Sequence, residues 1–186
     1  MTKIFHVMLI LGAALLPLAA CQPAEQAGTT AQSAGQAQAT PALSTADAAF
    51  IDTAGALGLE EVRFAQLAET KATDPAVRRF AAEMIADHTL VGEQLAALAQ
   101  GKGITPPSNM DARHETLYRQ LQSLNGPAFD RAYMDGQMQD VTMVIEAFQT
   151  AADSGKEPQV RSFAQRHLPM MQQHLQMALT VPAAGP

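Results

Sequence analysis

Apolar side chains recur at alternating steps of three and four along four long stretches of this chain, a periodicity that helices packed on a common core satisfy. The first stretch carries Phe50, Ala54, Leu57, Glu61, Phe64 and Ala68; it opens at Ser44, with Asp47 three residues on, and fades near Thr70. Asp74-Pro75 starts the second, an N-cap side chain followed by proline at the first helical position. Its stripe of Val77, Phe80, Met84, His88, Val91, Leu95 and Leu98 ends at Gly101-Lys102-Gly103. Pro106-Pro107 then breaks the chain, and a short helix is expected from about Asp111 to Leu124. The third long stretch follows Asn125-Gly126-Pro127 and runs to about Asp153, with Met134, Met138, Val141, Ile145, Phe148 and Ala152 on its stripe. The last spans Glu157-Pro158 to about Leu179; Pro169 removes a hydrogen bond inside it and is expected to bend it.

Two helix starts are alike. Asp74-Pro-Ala-Val-Arg-Arg-Phe-Ala and Glu157-Pro-Gln-Val-Arg-Ser-Phe-Ala share five identities and one acid-for-acid match, 83 residues apart. Helix-start chemistry explains the acid and the proline but not the shared Val-Arg-x-Phe-Ala, which points to an internal duplication. Two helical hairpins joined by a long segment predict an all-α, ferritin-like four-helix bundle, with a short extra helix in the crossover connection. Stripes of about 25 residues give helices of roughly 35–40 Å, enough for one shared core.

The N-terminus has a separate logic. Lys3, an apolar run from Ile4 to about Leu16, and Leu18-Ala19-Ala20-Cys21 form a positive start, a short hydrophobic stretch and small residues before the only cysteine. The run is too short to span a bilayer. The tetrad resembles the lipobox of bacterial lipoproteins. That resemblance implies a signal peptide at 1–20 and acylation of Cys21, with several chains each gaining ~0.8 kcal/mol per buried methylene. Gln22 rather than Asp after the cysteine implies the outer membrane, with the domain facing the periplasm. Residues 21–43, rich in Ala, Gln and Thr, read as a flexible tether with a reach of roughly 25 Å. The domain is expected at 44–180 and a disordered tail at 181–186. Loss of residues 1–20 removes one cation and leaves a net charge of −7, which argues against nucleic acid and against electrostatic docking on anionic lipid.

Beyond the N-terminus the chain resembles the bacterial "domain of unknown function 4142" family. The resemblance rests on Glu61, then Met84 with Asp87-His88, then Gly126-x-x-Phe129-Asp130-x-x-Tyr133, then Phe163-Ala164, Leu168-Pro169 and His174, and covers about residues 47–179. It implies a ferritin-like bundle, often exported or lipid-anchored, and brings no common activity. Members often carry a histidine in the long helix after Tyr133, where this chain has Val141.

Polar residues on apolar stripes are the candidates for chemistry. Glu61 and His88 fall about one turn apart across the first hairpin, and a buried carboxylate needs a partner. A structural Glu–His hydrogen bond and a metal-ligand pair helped by Asp87 both remain open. A di-iron centre is disfavoured: the 83-residue offset maps Asp87 and His88 onto Met170 and Met171, and Glu61 onto Val144, so the second half lacks the carboxylates. His167, Met170, His174 and Met177 recur at helical spacing on the last helix, with Met171 beside them. Imidazole with thioether suits Cu(I) or Ag(I), which Met134 or Met138 could complete, whereas core filling by methionine explains the same pattern without a ligand. His6 and His114 carry no assigned role. No nucleophile elbow, phosphate loop or dinucleotide turn is present, and the only cysteine is the lipidation candidate.

The expected protein is therefore a non-enzymatic, membrane-anchored periplasmic lipoprotein without a cofactor, whose protein partner is not specified by sequence and whose role is interaction or envelope-stress tolerance. Its alternative is a periplasmic metal-binding protein using copper or silver at the His/Met face, or a Glu/His site. Cys21→Ser is expected to leave an unprocessed or soluble protein without acyl label. Membrane fractionation with metabolic acyl labelling checks this, and wild-type behaviour of the variant would sink the anchor.

Overall fold

The computed structural model describes residues 43–181. The expected signal peptide at 1–20, the lipidation candidate Cys21, the expected tether up to residue 42 and the expected tail from 182 lie outside the described residues. Five helices form, α1 Thr45–Lys71, α2 Pro75–Gln100, α3 Ala112–Ser123, α4 Gly126–Ser154 and α5 Pro158–Thr180, and no strand occurs among the described residues. Local chemistry sets their ends. The Ser44 hydroxyl accepts the Asp47 N–H at 3.1 Å, and the Asp74 carboxylate accepts that of Ala76 at 2.7 Å. The Asp111 carboxylate accepts the His114 N–H at 2.9 Å. α5 continues through Pro169 as helix on both sides. Leu43 and Val181, at the two limits of the described residues, both pack half-buried on the core. None of the described helices is long and apolar enough to cross a membrane.

α1 packs on α2 and α4, and α5 on α4 and α2, which closes a ring of four helices. Phe50 and Phe163, near the starts of α1 and α5, meet Phe148 and Leu95, near the ends of α4 and α2, in one apolar cluster. Every helix in the ring is thus antiparallel to its neighbours. α2 and α4 run the same way, so the segment between them must travel back along the bundle. It carries α3, which settles on α1 and α4. This is the all-α bundle with a crossover that the sequence predicts. Phe50 and Phe148 meet edge to face at 5.1 Å in the first cluster, while Phe80, Phe129 and Tyr133 fill the second at the opposite end.

The two hairpins fasten each other in a reciprocal way. Asp130, near the start of α4, is buried and accepts the Thr73 N–H at 3.0 Å, the Asp74 N–H at 2.9 Å and the Thr73 hydroxyl at 2.6 Å, all from the α1–α2 turn. Asp47, in the first turn of α1, is equally buried and accepts the Lys156 and Glu157 N–H groups at 3.1 and 3.0 Å from the α4–α5 turn. Asp47 and Asp130 are themselves 83 residues apart. The shared arginines repeat the symmetry: Arg78 donates to the Ala72 carbonyl at 2.7 Å and Arg161 to that of Gly155 at 2.6 Å. A Cβ on Gly155 would meet the Ala151 carbonyl at 2.6 Å and the Asp47 carboxylate at 3.2 Å, so glycine permits the close approach.

Removing either carboxylate strands buried N–H groups that had a charged acceptor. Asp130→Ala is expected to lower stability by about 2–3 kcal/mol. Urea unfolding should show a lower midpoint at unchanged slope, and an unshifted midpoint would refute the clasp.

Candidate metal centre

Where α3 crosses α1 and α4, polar side chains replace the apolar stripe. α1 brings Glu60 and Glu61, α3 brings His114 with its N-cap Asp111, and α4 brings Tyr133, Gln137 and Asp140. All but Asp111 are buried, with Glu60 only 2 % exposed and His114 4 %. His114 is the hub. Its Nδ1 lies 2.9 Å from Glu60 Oε1 and 3.0 Å from Asp111 Oδ1, while Nε2 faces Arg113 Nη1 at 2.9 Å and Asp140 Oδ1 at 3.8 Å. Despite these distances, both Glu60 oxygens, His114 Nδ1 and Asp140 Oδ1 lack an aligned hydrogen-bond partner. One ligand atom from each of Glu60, Asp111 and His114 lies within 4.8 Å of the other two, a span that a cation with bonds of about 2.0–2.6 Å can bridge.

Electrostatics favours a positive guest. Burial pushes the Glu60 carboxyl up to about 7, opposed by His114. Burial, then repulsion from Asp140, pushes Glu61 up to about 8 although Gln137 Nε2 donates to it at 2.6 Å. Burial raises Asp140 and Tyr133 as well. Exposed Asp111 moves down, chiefly because it accepts the His114 backbone N–H. Four carboxyls thus crowd one imidazole and Arg113, and three of the four hold their protons more tightly than in water.

The structure separates Glu61 from His88. Glu61 faces Gln137 on α4, whose amide oxygen is in turn 3.4 Å from the Tyr133 hydroxyl. His88 sits level with Gly58, where an added Cβ would be 3.9 Å from its Nδ1, and its ring meets His174 of α5 at 5.2 Å. Asp87 does assist a histidine, but it is His174, at 2.9 Å. Nor does the α5 His/Met face form one site. His167 Nε2 pairs with Gln94 Oε1 at 3.1 Å, Met170 packs on one apolar cluster and Met177 on the other. Met134 and Met171 are buried and Met138 half-buried, all as core. The unassigned His114 is the residue that sequence reasoning missed, along with Glu60, Asp111 and Asp140. The signal was Asp111-x-x-His114 at a helix start, an acid and an imidazole one turn apart, on the short helix rather than on the long ones.

The fold and this layer define an all-α, four-helix bundle domain with a polar, acid-rich layer set mid-way along α1 and α4, between its two apolar clusters. The chain belongs to the family described as "Domain of unknown function (DUF4142)", which it matches over residues 32–181. A crystal structure of a DUF305 fragment from Deinococcus radiodurans is similar in fold, with a TM-score of 0.67 at 13 % identity over 76 % of this chain and 97 % of that one. Among curated proteins, none matches.

The raised carboxyls have a consequence for pH. A group whose folded pKa is raised gives full stability below its unfolded value of 4.5 and loses it as pH climbs through about 7 and 8. His88, pushed down to about 3 by burial and by His174, works in the opposite sense, and its destabilising effect is confined below its unfolded value of 6.5. Above pH 6.5 the carboxyls act alone. The melting temperature of metal-free protein should therefore fall from pH 6.5 to 8.5, and Glu61→Gln should flatten that slope. An identical slope in the variant would contradict the assignment.

Proposed function

We propose that this protein is a lipid-anchored domain on the periplasmic face of the outer membrane that binds a divalent cation through Glu60, Asp111 and His114, and that it holds the ion rather than catalysing a reaction. The observation that carries the reading is the convergence of the buried Glu60 carboxylate, Asp111 and the buried Nδ1 of His114, with one ligand atom of each within 4.8 Å of the other two. A mixed oxygen and imidazole donor set suits zinc, manganese or another first-row divalent ion better than calcium or magnesium. The Arg113 guanidinium, which can only donate, faces Nε2 at 2.9 Å, which leaves Nδ1 as the nitrogen turned toward Glu60 and Asp111. The lipobox tetrad at Leu18–Cys21 supports the anchor, and retaining cations at the membrane would be the domain's part in envelope-stress tolerance.

Chelator-treated protein, purified without a histidine tag, should rise several degrees in melting temperature when zinc or manganese is added. An ion at 100 times its dissociation constant contributes about 2.7 kcal/mol. Glu60→Gln and His114→Ala should abolish the rise, and His167→Ala should keep it. A wild type that responds to neither ion would overturn the reading.

A further inference from the structure

A second polar group lies in the core away from the acid-rich layer, where α2 crosses α5. His88 and His174 are 3 % and 1 % exposed, and their rings stand 5.2 Å apart, tilted by 32°. His174 Nε2 is 2.9 Å from Asp87 Oδ2. That contact fixes the proton on Nε2, so the Nδ1 lone pair points into the protein. His174 Nδ1 and His88 Nε2 are both buried with no hydrogen-bond partner. An unpartnered buried nitrogen is costly, and two on adjacent rings are difficult to account for by packing. A carboxylate on the far nitrogen of a buried histidine is also the usual support of a metal-binding imidazole.

Charge selects the ion. Two neutral imidazoles supply no charge, and Asp87 supplies a single negative charge through His174, so a monovalent cation leaves the group neutral in a medium where net charge is expensive. Zinc would need four ligands and more anionic charge. Cu(I) and Ag(I) accept two nitrogen donors, and buried Met84 and Met171 place thioethers one turn away on the same helix faces. A cavity of about 380 Å³ between α1 and α2, walled by Gly58, Gly92 and Pro106, reaches the Nδ1 side of the same His88 ring. We propose that His88 Nε2 and His174 Nδ1 bind one Cu(I) or Ag(I) ion across α2 and α5, with Asp87 as the residue that positions His174.

The test is anaerobic titration of tag-free, chelator-treated full chain with Cu(I) against a chromophoric Cu(I) chelator, with Ag(I) as a second probe. One equivalent should bind. His88→Gln and His174→Gln should each remove it, and Asp87→Asn should weaken it roughly 10–100-fold. Glu60→Gln should leave it unchanged, which separates this site from the divalent one: either can fail while the other stands. Imidazole nitrogen NMR of the wild type avoids any dependence on variant folding, since Ag(I) should shift His88 Nε2 and His174 Nδ1 and leave His167 alone. No binding, or binding that leaves both resonances in place, would overturn the proposal in favour of a bridging water.

Discussion

The bundle depends on two buried aspartates that each tie down the turn of the opposite hairpin. A four-helix ring can close in several registers, because apolar stripes slide past one another at little penalty. Asp47 and Asp130 remove that freedom, since each carboxylate must reach two specific backbone N–H groups on a turn that is otherwise unrelated to its own helix. Missing that register would bury a charge without donors, which is far worse than a shifted Leu or Phe. The clasps therefore fix how far α4 stands along α1, and everything between those helices inherits the register. The polar layer lies in that space.

Helix α3 then determines what the layer can do. It returns along α1 and α4 on the way from α2 to α4, and its N-cap Asp111 and His114 come down on Glu60. Arg113, on the exposed side of the same turn, sits near His114 Nε2 and Asp140 and partly offsets the acids. The offset is incomplete, as the raised Glu60 and Glu61 carboxyls indicate. A core of hydrocarbon would be more stable at this level. What the polar layer provides is a set of donors held in place by surrounding packing, which is what a bound cation requires.

Much of the fold was legible because it is written locally. Stripe spacing, the Ser44 and Asp74 caps and the glycine and proline breaks located all five helices, and the repeat around Asp74 and Glu157 located the two hairpins. The site was less legible because its members belong to different elements. Periodicity assigns Glu61 and His88 to one face of a hairpin, yet it cannot say that Gln137 competes for Glu61 or that His174 lies opposite His88. His114 was passed over because nothing on α3 itself reports that the crossover returns it to Glu60. The clasps could have been read: Asp47 and Asp130 obey the same 83-residue offset as the helix starts, but lie outside the matched octapeptides.

That offset also separates structural from functional polarity. The clasps, with Arg78 and Arg161, occur in both halves, as expected of groups that hold the duplicated fold together. The interior polar residues do not. Positions equivalent to Tyr133, Gln137 and Asp140 are Phe50, Ala54 and Leu57, and that of Glu61 is Val144. His88 and His174 correspond to Met171 and Val91. All six of those counterparts belong to a single apolar cluster. The same backbone geometry therefore packs without any of these polar groups in one half, so folding alone does not require them in the other. A buried carboxylate or imidazole that its own duplicate dispenses with needs a reason outside stability, and for His88 and His174, whose inner nitrogens have no hydrogen-bond partner, the proposed ion site supplies one.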